Sequence, residues 1–260
     1  MPTDWSRPPT GPADEPTVLV LGGTAEARAL AAALQDNGVT VLSSLAGRVS
    51  DPALPVGAVR IGGFGGTAGL IEHLRTHRYA AVVDATHPFT ATMSGHAAAA
   101  VQVTGTPLLR LARPGWGTRP DAGSWRWVDS TSEAAVAARQ AGRRAFLTTG
   151  RQTLDDFRVL ADRVTVVRVV EPPEGTLPQR WEIIRDRGPY RLAGEIELMT
   201  TRSLDVLVTK DSGGAYTSAK LDAAARLDIP VIVVRRPATR PGVNAVATVE
   251  DAVAWIGASR

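Results

Sequence analysis

The chain has 260 residues, of which 44% are hydrophobic and 21% are charged, and it contains no cysteine. This length suffices for one large domain or for two domains of roughly 100–150 residues each. Without cysteine there are no disulfides, thiolate metal sites or thiol nucleophiles, and a reducing cytoplasm is the expected location. All basic residues except Lys210 and Lys220 are arginines, and they are scattered along the chain. Acidic small molecules are therefore as suitable as nucleic acid, because a guanidinium binds carboxylates as well as phosphates.

The first 16 residues contain five prolines and are expected to form a flexible tail. They have neither the basic nor the apolar region of a signal peptide. No stretch of 18 or more apolar residues exists, so no membrane partner is expected.

After the tail, short β-branched apolar runs alternate with alanine-rich amphipathic stretches, which is typical of β-α units around a parallel sheet. The first predicted strands cover 17–21, 39–43, 58–61, 80–84 and 107–110. The helices between them are predicted at 24–36, 66–76 and 89–103. These elements predict a five-stranded doubly wound unit.

A second series has predicted strands at 125–128, 145–148, 163–169, 205–209 and 230–234. Its helices are predicted at 131–141, 153–160, 192–201, 217–227 and 248–257. The Gly-, Pro- and Arg-rich segment 110–124 is the best boundary candidate. We therefore predict two doubly wound α/β domains, over 17–118 and 119–260, with mostly parallel sheets and an interdomain cleft. The irregular stretch 171–190 is interpreted as a flap over that cleft.

The first predicted strand runs into Gly22-Gly23-Thr24, followed by Glu26 in the first helical turn. A glycine-rich strand-to-helix turn allows backbone N–H groups to approach a pyrophosphate. Compared with the dinucleotide fingerprint G-x-G-x-x-G/A, Thr24 replaces the middle glycine, and Glu26 would repel a phosphate placed against it. A tight turn capped by Thr24 is the alternative interpretation.

The second predicted strand ends in Ser43 and Ser44, with Arg48 just beyond. Classical NAD enzymes place a carboxylate here, on the ribose hydroxyl. Two hydroxyls and an arginine suit a 2′-phosphate instead, so the sequence favours NADPH over NADH. The alternative is that Arg48 is a solvated loop residue.

Four glycines surround one aromatic residue at 62–66, in Gly62-Gly63-Phe64-Gly65 and the glycine that follows. This loop suits a close approach of the backbone to a flat ring such as adenine or nicotinamide. A structural loop with Phe64 in the core is an equally good interpretation.

The fourth predicted strand ends in Asp84, followed by Thr86, His87 and Pro88. Ligands bind at the carboxyl ends of parallel strands, and Pro88 suits the first turn of the next helix. His87 precedes a proline and should project from the sheet edge. Asp84 either orients His87 or caps the helix, and a packing role for His87 stays open.

Two turns of the second series place small residues beside a cation at the end of a strand. The first is Thr149-Gly150-Arg151, and the second is 210–214, which reads Lys-Asp-Ser-Gly-Gly. Such turns receive anions through backbone N–H groups and a side-chain charge.

Two further patterns are weak. Tyr216 and Lys220 have the Tyr-x-x-x-Lys spacing of short-chain dehydrogenases, but the glycine-rich loop of that family is absent. His73 and His77 have the spacing of a zinc pair, without a nearby third ligand. No metal site is expected.

Taken together, these residues resemble the precorrin-6A reductase family of cobalamin biosynthesis. The matching segments, in chain order, are LGGTAEAR at 21–28, SSLAGR at 43–48, GGFGG at 62–66, DATHPF at 84–89, RPGW at 113–116, TTGR at 148–151, GPY at 188–190, VTKDSGG at 208–214 and VVRRP at 233–237. The tail and Tyr216, where the family often carries glycine, depart from the family pattern.

The resemblance implies two Rossmann-like domains, NADPH in the N-terminal one, and reduction of one double bond of precorrin-6A to give precorrin-6B. The expected cofactor contacts are Gly22, Gly23, Thr24, Glu26, Ser43, Ser44, Arg48, Gly62, Gly63, Phe64 and Gly65. The carboxylates of the macrocycle are expected to meet Arg113, Arg151, Lys210 and Arg235. The remaining substrate contacts are expected from Thr86, His87, Pro88, Thr149, Gly150, Ser212, Gly213 and Gly214.

Candidate proton donors are Lys210, Asp211 and His87, in that order. Reduction of the cobalt-containing form or of another anionic tetrapyrrole is an alternative within enzymes. A non-catalytic nucleotide sensor, whose second domain docks a protein, is the alternative from another class. Direct transfer of the substrate from neighbouring pathway enzymes stays open, and no nucleic acid partner is expected.

Overall fold

The computed structural model describes residues 17–47, 53–239 and 241–258. The predicted tail and Arg48 lie outside the described residues. Unit 1 takes the described residues up to Arg113 and from Pro237 onward, and unit 2 takes Pro114–Arg236. Each unit is built around one sheet of six strands.

The sheet of unit 1 has the strand order β3-β2-β1-β4-β5-β12, and every pair in it is parallel. This is the Rossmann order 3-2-1-4-5-6. Numbered along the whole chain, its strands are β1 (Thr17–Leu21), β2 (Thr40–Leu45), β3 (Ala58–Ile61), β4 (Ala81–Asp84), β5 (Leu108–Leu111) and β12 (Asn244–Val246). Its helices are α1 (Ala25–Asp36), α2 (Gly66–His77), α3 (Ala91–Thr104) and α7 (Val249–Ala258).

The sheet has helices on both faces, which explains the apolar runs in its central strands. In β1, Val18–Leu21 is almost fully buried, because alternate side chains enter separate cores. Helix α1 turns Leu30 and Leu34 into the core that contains Val18. This packing fixes the glycine-rich turn between β1 and α1 at the edge of the sheet.

The C-terminal segment belongs to unit 1, whereas the sequence analysis assigned 119–260 to the second domain. Strand β12 pairs with β5, and Ala252 and Ile256 of α7 enter the same core as α1. Sequence patterning missed β12, which has only three residues, two of them exposed. The unit therefore has six strands rather than the predicted five.

The sheet of unit 2 has the order β6-β11-β10-β7-β8-β9 and is also parallel throughout. Its strands are β6 (Arg126–Val128), β7 (Arg144–Leu147), β8 (Val164–Val169), β9 (Trp181–Arg185), β10 (Val206–Lys210) and β11 (Val231–Val234). Its α-helices are α4 (Thr131–Ala141), α5 (Leu192–Thr201) and α6 (Ala219–Arg226). Three 3-10 helices cover Trp116–Thr118, Ala122–Ser124 and Arg151–Leu160.

Two predicted elements of unit 2 differ from the structure. The predicted helix 153–160 is part of the 3-10 helix Arg151–Leu160, which buries Leu154, Phe157 and Leu160. That spacing of three matches the three residues per turn of a 3-10 helix, so one face reaches the core. The predicted flap 171–190 contains β9, which is a paired strand of the sheet.

The strand order reverses once in each sheet, between β1 and β4 in unit 1 and between β7 and β10 in unit 2. Open α/β sheets bind ligands at the carboxyl ends of the strands beside such a reversal. Across the described residues, each helix is too short or too polar to span a bilayer.

Candidate functional site

The turn after β1 lies at the strand-order reversal of unit 1. Thr24 caps α1 by accepting the Ala27 N–H at 3.1 Å, and its hydroxyl donates to the Ala85 carbonyl after β4 at 2.8 Å. Thr24 therefore connects the turn after β1 with the turn after β4, the two strands at the strand-order reversal. It also has the capping role that the sequence suggested. Gly23 has φ +109°, and a Cβ there would meet no atom within 4 Å. The open backbone at this helix N-terminus suits a pyrophosphate.

Glu26 in the first turn of α1 forms an ion pair with Arg113, whose Nη1 lies 2.5 Å from the Glu26 carboxylate oxygen. The sequence predicts Glu26 as a cofactor contact and Arg113 as a substrate contact. Arg113 neutralises the negative charge that would otherwise repel a phosphate at this helix end.

The serines at the end of β2 have different surroundings. The buried Ser43 hydroxyl lacks a hydrogen-bond partner among the described residues, whereas the Ser44 hydroxyl accepts from Arg60 Nη1 at 3.2 Å. The Ser44 carbonyl accepts the Gly22 N–H at 2.9 Å. Arg60, which the sequence analysis missed, therefore joins the predicted ribose end of the cofactor site.

The glycine-rich loop after β3 folds around Arg60. The Arg60 guanidinium donates to the carbonyls of Gly62 and Gly63 at 2.6 and 2.7 Å. Its central carbon lies 3.8 Å from the centroid of the Phe64 ring. Phe64 is partly buried against the core, and its ring lies 5.0 Å from that of His73. These contacts favour the interpretation of Phe64 as a packed loop residue over a stacking platform.

His73, on α2, lies between aromatic neighbours. Its Nε2 is 2.9 Å from the Tyr79 hydroxyl, and its ring is 4.2 Å from that of His77. Burial, and then the charges of His77 and Arg60, lower the pKa of His73 to about 4. The described residues contain no group of three or more His, Asp or Glu side chains able to hold a metal ion.

The turn after β4 is fixed by a buried ion pair. Arg110 on β5 lies 2.6 Å from an Asp84 carboxylate oxygen, and both side chains are almost fully buried. The same carboxylate oxygen accepts from the Thr86 hydroxyl at 2.7 Å, and Arg110 donates to the Thr86 carbonyl at 3.0 Å. Asp84 thus orients Thr86. It does not cap α3, which begins at Ala91 with Thr90 as its N-cap residue.

His87 and Pro88 precede the helix, because α3 begins at Ala91. The sequence predicts Pro88 in the first turn of this helix, and the structure shows that this prediction is wrong. His87 is partly buried, and its Nδ1 accepts the Phe89 N–H at 3.3 Å. A neutral His87 would consequently carry its proton on Nε2.

The turn after β7 lies at the strand-order reversal of unit 2. Thr149 is buried, and its carbonyl accepts from the Thr153 hydroxyl at 3.5 Å. Gly150 has φ +85° and precedes the 3-10 helix that starts at Arg151. Arg151 donates to the Pro172 carbonyl at 3.2 Å.

The turn after β10 lies on the other side of the strand-order reversal in unit 2, because β10 is the neighbour of β7 in the sheet. Lys210 is partly buried, and burial lowers the pKa of its ammonium group, partly countered by the charge of Asp156. Asp211 is buried, accepts the Trp116 N–H at 2.8 Å and lies 3.0 Å from Arg236 Nε. These donors occupy both carboxylate oxygens, so the structure weighs against Asp211 as a proton donor.

The glycines of this turn pack against the RPGW segment. Gly213 has φ +69°, and a Cβ there would collide with the Pro114 carbonyl. Gly214 donates its N–H to that carbonyl at 3.2 Å and accepts from Trp116 Nε1 at 2.8 Å. The Ser212 N–H bonds to the Lys210 carbonyl at 2.6 Å. The backbone N–H groups of Ser212 and Gly214, which the sequence predicts as anion donors, thus bond to protein carbonyls and stabilise the turn.

Other predicted residues also have protein partners. Arg235 is exposed and lies 3.2 Å from an Asp129 oxygen. Tyr216 donates to the Gly188 carbonyl at 2.7 Å, whereas Lys220 donates to Thr217 and lies over Trp116. Because α6 begins after Tyr216, the Tyr216 and Lys220 side chains do not form a pair on one helical turn.

A buried ion pair in unit 2 had no sequence signal. Arg168 on β8 and Glu195 on α5 lie 2.5 Å apart, with side chains 5% and 2% exposed. The Tyr190 ring covers the guanidinium at 3.6 Å. Only the packing of α5 against the sheet brings these distant residues together.

Comparison with known proteins assigns the chain to a family. The family model described as Precorrin-6x reductase CbiJ/CobK matches residues 17–257. Precorrin-6A reductase of Rhodococcus erythropolis is 49% identical over 241 residues, covering 92% of this chain and 97% of the relative. Precorrin-6A reductase of Mycobacterium tuberculosis (strain CDC 1551 / Oshkosh) is 50% identical over 241 residues, covering 92% and 96%.

A solved structure described as CobK precorrin-6A reductase superposes with a TM-score of 0.87 at 40% identity, covering 94% of this chain and 97% of that one. A reductase of this family requires a nicotinamide cofactor as hydride source and takes a corrin precursor as substrate. The chain belongs to the precorrin-6x reductase family and is an oxidoreductase of cobalamin biosynthesis.

Proposed function

We propose that the chain reduces one double bond of precorrin-6A to give precorrin-6B, with NADPH as the reductant. The observation that carries the proposal is the position of the family motifs beside the strand-order reversals of both sheets. The turns after β1 and β4 flank the reversal in unit 1, and those after β7 and β10 flank the reversal in unit 2. These are the sheet edges at which open α/β folds bind ligands.

The residues of unit 1 fit a dinucleotide. Gly23 leaves an open position at the N-terminus of α1, and Arg113 neutralises Glu26 beside it. The Ser43 hydroxyl is buried without a partner among the described residues, as expected of a group that a ligand would satisfy. When bound, the nicotinamide supplies a hydride to the substrate. No carboxylate stands at Ser43 or Ser44 to repel a 2′-phosphate, which supports NADPH over NADH.

The residues of unit 2 suit a polycarboxylate substrate. Arg151 and Lys210 place cations at the ends of the strands beside the reversal. We assign the principal substrate carboxylate contacts to Arg151 and Lys210, because Arg151 begins the 3-10 helix that follows β7 and Lys210 is the last residue of β10. A carboxylate-rich ring would gain charge-assisted hydrogen bonds from both cations.

Reduction of the double bond adds a hydride to one atom and a proton to the other. We assign the proton to Lys210, because burial lowers the pKa of its ammonium group and makes it a stronger acid. His87 is the second candidate, as an imidazolium that donates from Nε2. In that form Nδ1 is also protonated, so the hydrogen bond from the Phe89 N–H would be lost. A substrate carboxylate near Lys210 would partly restore the ammonium pKa and keep the group protonated before reaction.

The decisive assay combines the purified protein, NADPH or NADH, and enzymes that generate precorrin-6A. Loss of nicotinamide absorbance and a gain of two hydrogens in product mass should occur together, and faster with NADPH. Absence of turnover while the partner enzymes are active would contradict the reductase and favour the nucleotide-sensor alternative. A parallel reaction with the cobalt-containing substrate separates the metal-free reaction from its cobalt-dependent alternative.

A further inference from the structure

Arg60 is a partly buried cation without a carboxylate partner in the part of the chain that the structure describes. The described residues place no Asp or Glu oxygen within ion-pair distance of its guanidinium. Burial lowers the pKa of Arg60, because desolvation disfavours the charged form, although arginine stays protonated. An anionic ligand would supply the missing countercharge.

The strand register places Arg60 where a dinucleotide-binding fold holds a ribose. Arg60 pairs with Ser44 across β3 and β2, and Ser44 in turn pairs with Leu21 at the end of β1. The Ser44 carbonyl holds the N–H of Gly22, the first glycine of the pyrophosphate turn. In this fold the ribose lies at the end of the second strand and the pyrophosphate at the first turn. Arg60 is thus one strand beyond the ribose position.

The guanidinium is held in place and still has donors to offer. It makes three hydrogen bonds, to Gly62, Gly63 and Ser44, and it stacks on Phe64. An arginine carries about five N–H donors, so about two remain for a ligand. The nearby Ser43 hydroxyl is buried and unpartnered among the described residues. Because Arg60 is preorganised by the loop, it would lose little side-chain entropy when it binds an anion.

We infer that Arg60 binds the 2′-phosphate of the cofactor and determines its preference for NADPH over NADH. The inference rests on the proposed function, because it assigns a residue to the cofactor named there. Ser44 shares the phosphate with Arg60, and Phe64 acts as a positioning residue that keeps the guanidinium against the loop. This gives the glycine-rich loop a role that does not require Phe64 to stack on a cofactor ring.

The test uses adenosine 2′,5′-bisphosphate and adenosine 5′-monophosphate, which differ by the 2′-phosphate, with full-length protein and calorimetric titration. The wild type should bind the bisphosphate more tightly by about 10- to 100-fold, as expected for a charge-assisted contact. Arg60→Gln should reduce this preference to less than about 3-fold while leaving the monophosphate affinity nearly unchanged. Arg75→Gln, which removes an exposed arginine in the last turn of α2, should retain the wild-type preference.

The titrations distinguish a failure of the NADPH proposal from a failure of the role assigned to Arg60. If the wild type binds both ligands equally, the NADPH proposal fails, and the inference fails with it. If the wild type prefers the bisphosphate and Arg60→Gln keeps that preference, only the role of Arg60 is overturned. If Arg60→Gln lowers the affinities for the bisphosphate and the monophosphate equally, the role of Arg60 is also overturned. That result would mean that Arg60 only holds the glycine-rich loop in place.

Thermal unfolding establishes whether Arg60→Gln is folded. Should that variant unfold, Arg60→Lys provides the same comparison, since it keeps the charge but loses the planar set of donors. The Arg60→Lys variant should prefer the bisphosphate less strongly than the wild type does, but should still bind it more tightly than the monophosphate. A full wild-type preference in Arg60→Lys would overturn the role assigned to the guanidinium, because the planar set of donors would then contribute nothing to the contact.

Discussion

Arg113 Nη1 lies 2.5 Å from a carboxylate oxygen of Glu26, so the residue that follows β5 neutralises an acid in the first turn of α1. Each side chain is partly buried, at 14% and 24% exposure. The pair would allow a helix N-terminus that carries a glutamate to receive the pyrophosphate of the proposed cofactor. We propose that Arg113 acts on the cofactor site through Glu26. The direct substrate contact that the sequence suggests for Arg113 stays a prediction.

Removing Arg113 should therefore weaken nucleotide binding. In Arg113→Ala the carboxylate of Glu26 remains unpaired beside the phosphates, and we expect NADPH affinity to fall by about 10-fold. The double variant Glu26→Gln/Arg113→Ala should recover most of this loss, because it removes the repelling charge as well. Fluorescence titration of NADPH with the wild type, both single variants and the double variant measures this coupling. Additive effects would contradict the role of the pair.

Lys210 should determine the alkaline limb of the pH–rate profile. Its ammonium pKa is lowered by burial, so the acid form is lost at a lower pH than for an exposed lysine. Lys210→Arg keeps a cation that stays protonated, so the alkaline limb should disappear and kcat should fall by about 10²-fold or more. Single-turnover rates between pH 6 and 10, in wild type and variant, check this expectation. An unchanged profile would transfer the assignment to His87.

The buried pair of Arg168 and Glu195 should stabilise unit 2 only as a pair. Arg168→Met leaves the Glu195 carboxylate buried without its partner, and we expect the free energy of unfolding to fall by about 3–5 kcal/mol. The double variant Arg168→Met/Glu195→Leu should regain most of it, because no buried charge then remains. Urea unfolding of the three proteins provides the measurement. Equal instability of single and double variants would mean that the loss comes from packing.

His73 should make stability depend on pH below neutrality. Its folded pKa of about 4 lies below the ordinary value of 6.5, so the unfolded state binds more protons between these values. Stability should therefore be full above about pH 6.5 and decrease as the pH falls towards about 4. His73→Phe should reduce this decrease by about 1 kcal/mol, a figure that allows for solvent screening. His96→Phe, on α3, leaves the His73–Tyr79 hydrogen bond intact and is the control.

Unit 1 should depend for its stability on the C-terminal segment that contains β12 and α7. Truncation before β12 removes a paired strand and the side chains of Ala252 and Ile256 from the core around α1. We expect the truncated protein to lose nucleotide binding and the stability of unit 1, because an opened core exposes apolar surface. Hydrogen exchange should show lost protection in β5 and α1 while β7 and β10 remain protected. Unchanged protection in β5 would exclude this dependence.

Local patterns in the sequence predicted most elements of both sheets, because a buried parallel strand is a continuous apolar run and a helix repeats its apolar positions. They also placed the turns after β1, β4, β7 and β10 at strand ends. Strand β12 was missed because it has only three residues and pairs with β5, more than a hundred residues earlier in the chain. The helix at 153–160 was placed correctly but given the wrong geometry, since apolar residues three apart satisfy both helix types.

The sequence by itself determined the α/β class, the family resemblance and the turns that carry the candidate site, since each depends on residues close together in the chain. Only the tertiary structure decided the partners of the charged side chains. The pairs of Arg113 with Glu26 and of Arg236 with Asp211, and the contact of Arg60 with Ser44, depend on strand order and register. Strand order also decided that the chain returns to unit 1 after Arg236, because the free edge of β5 accepts β12.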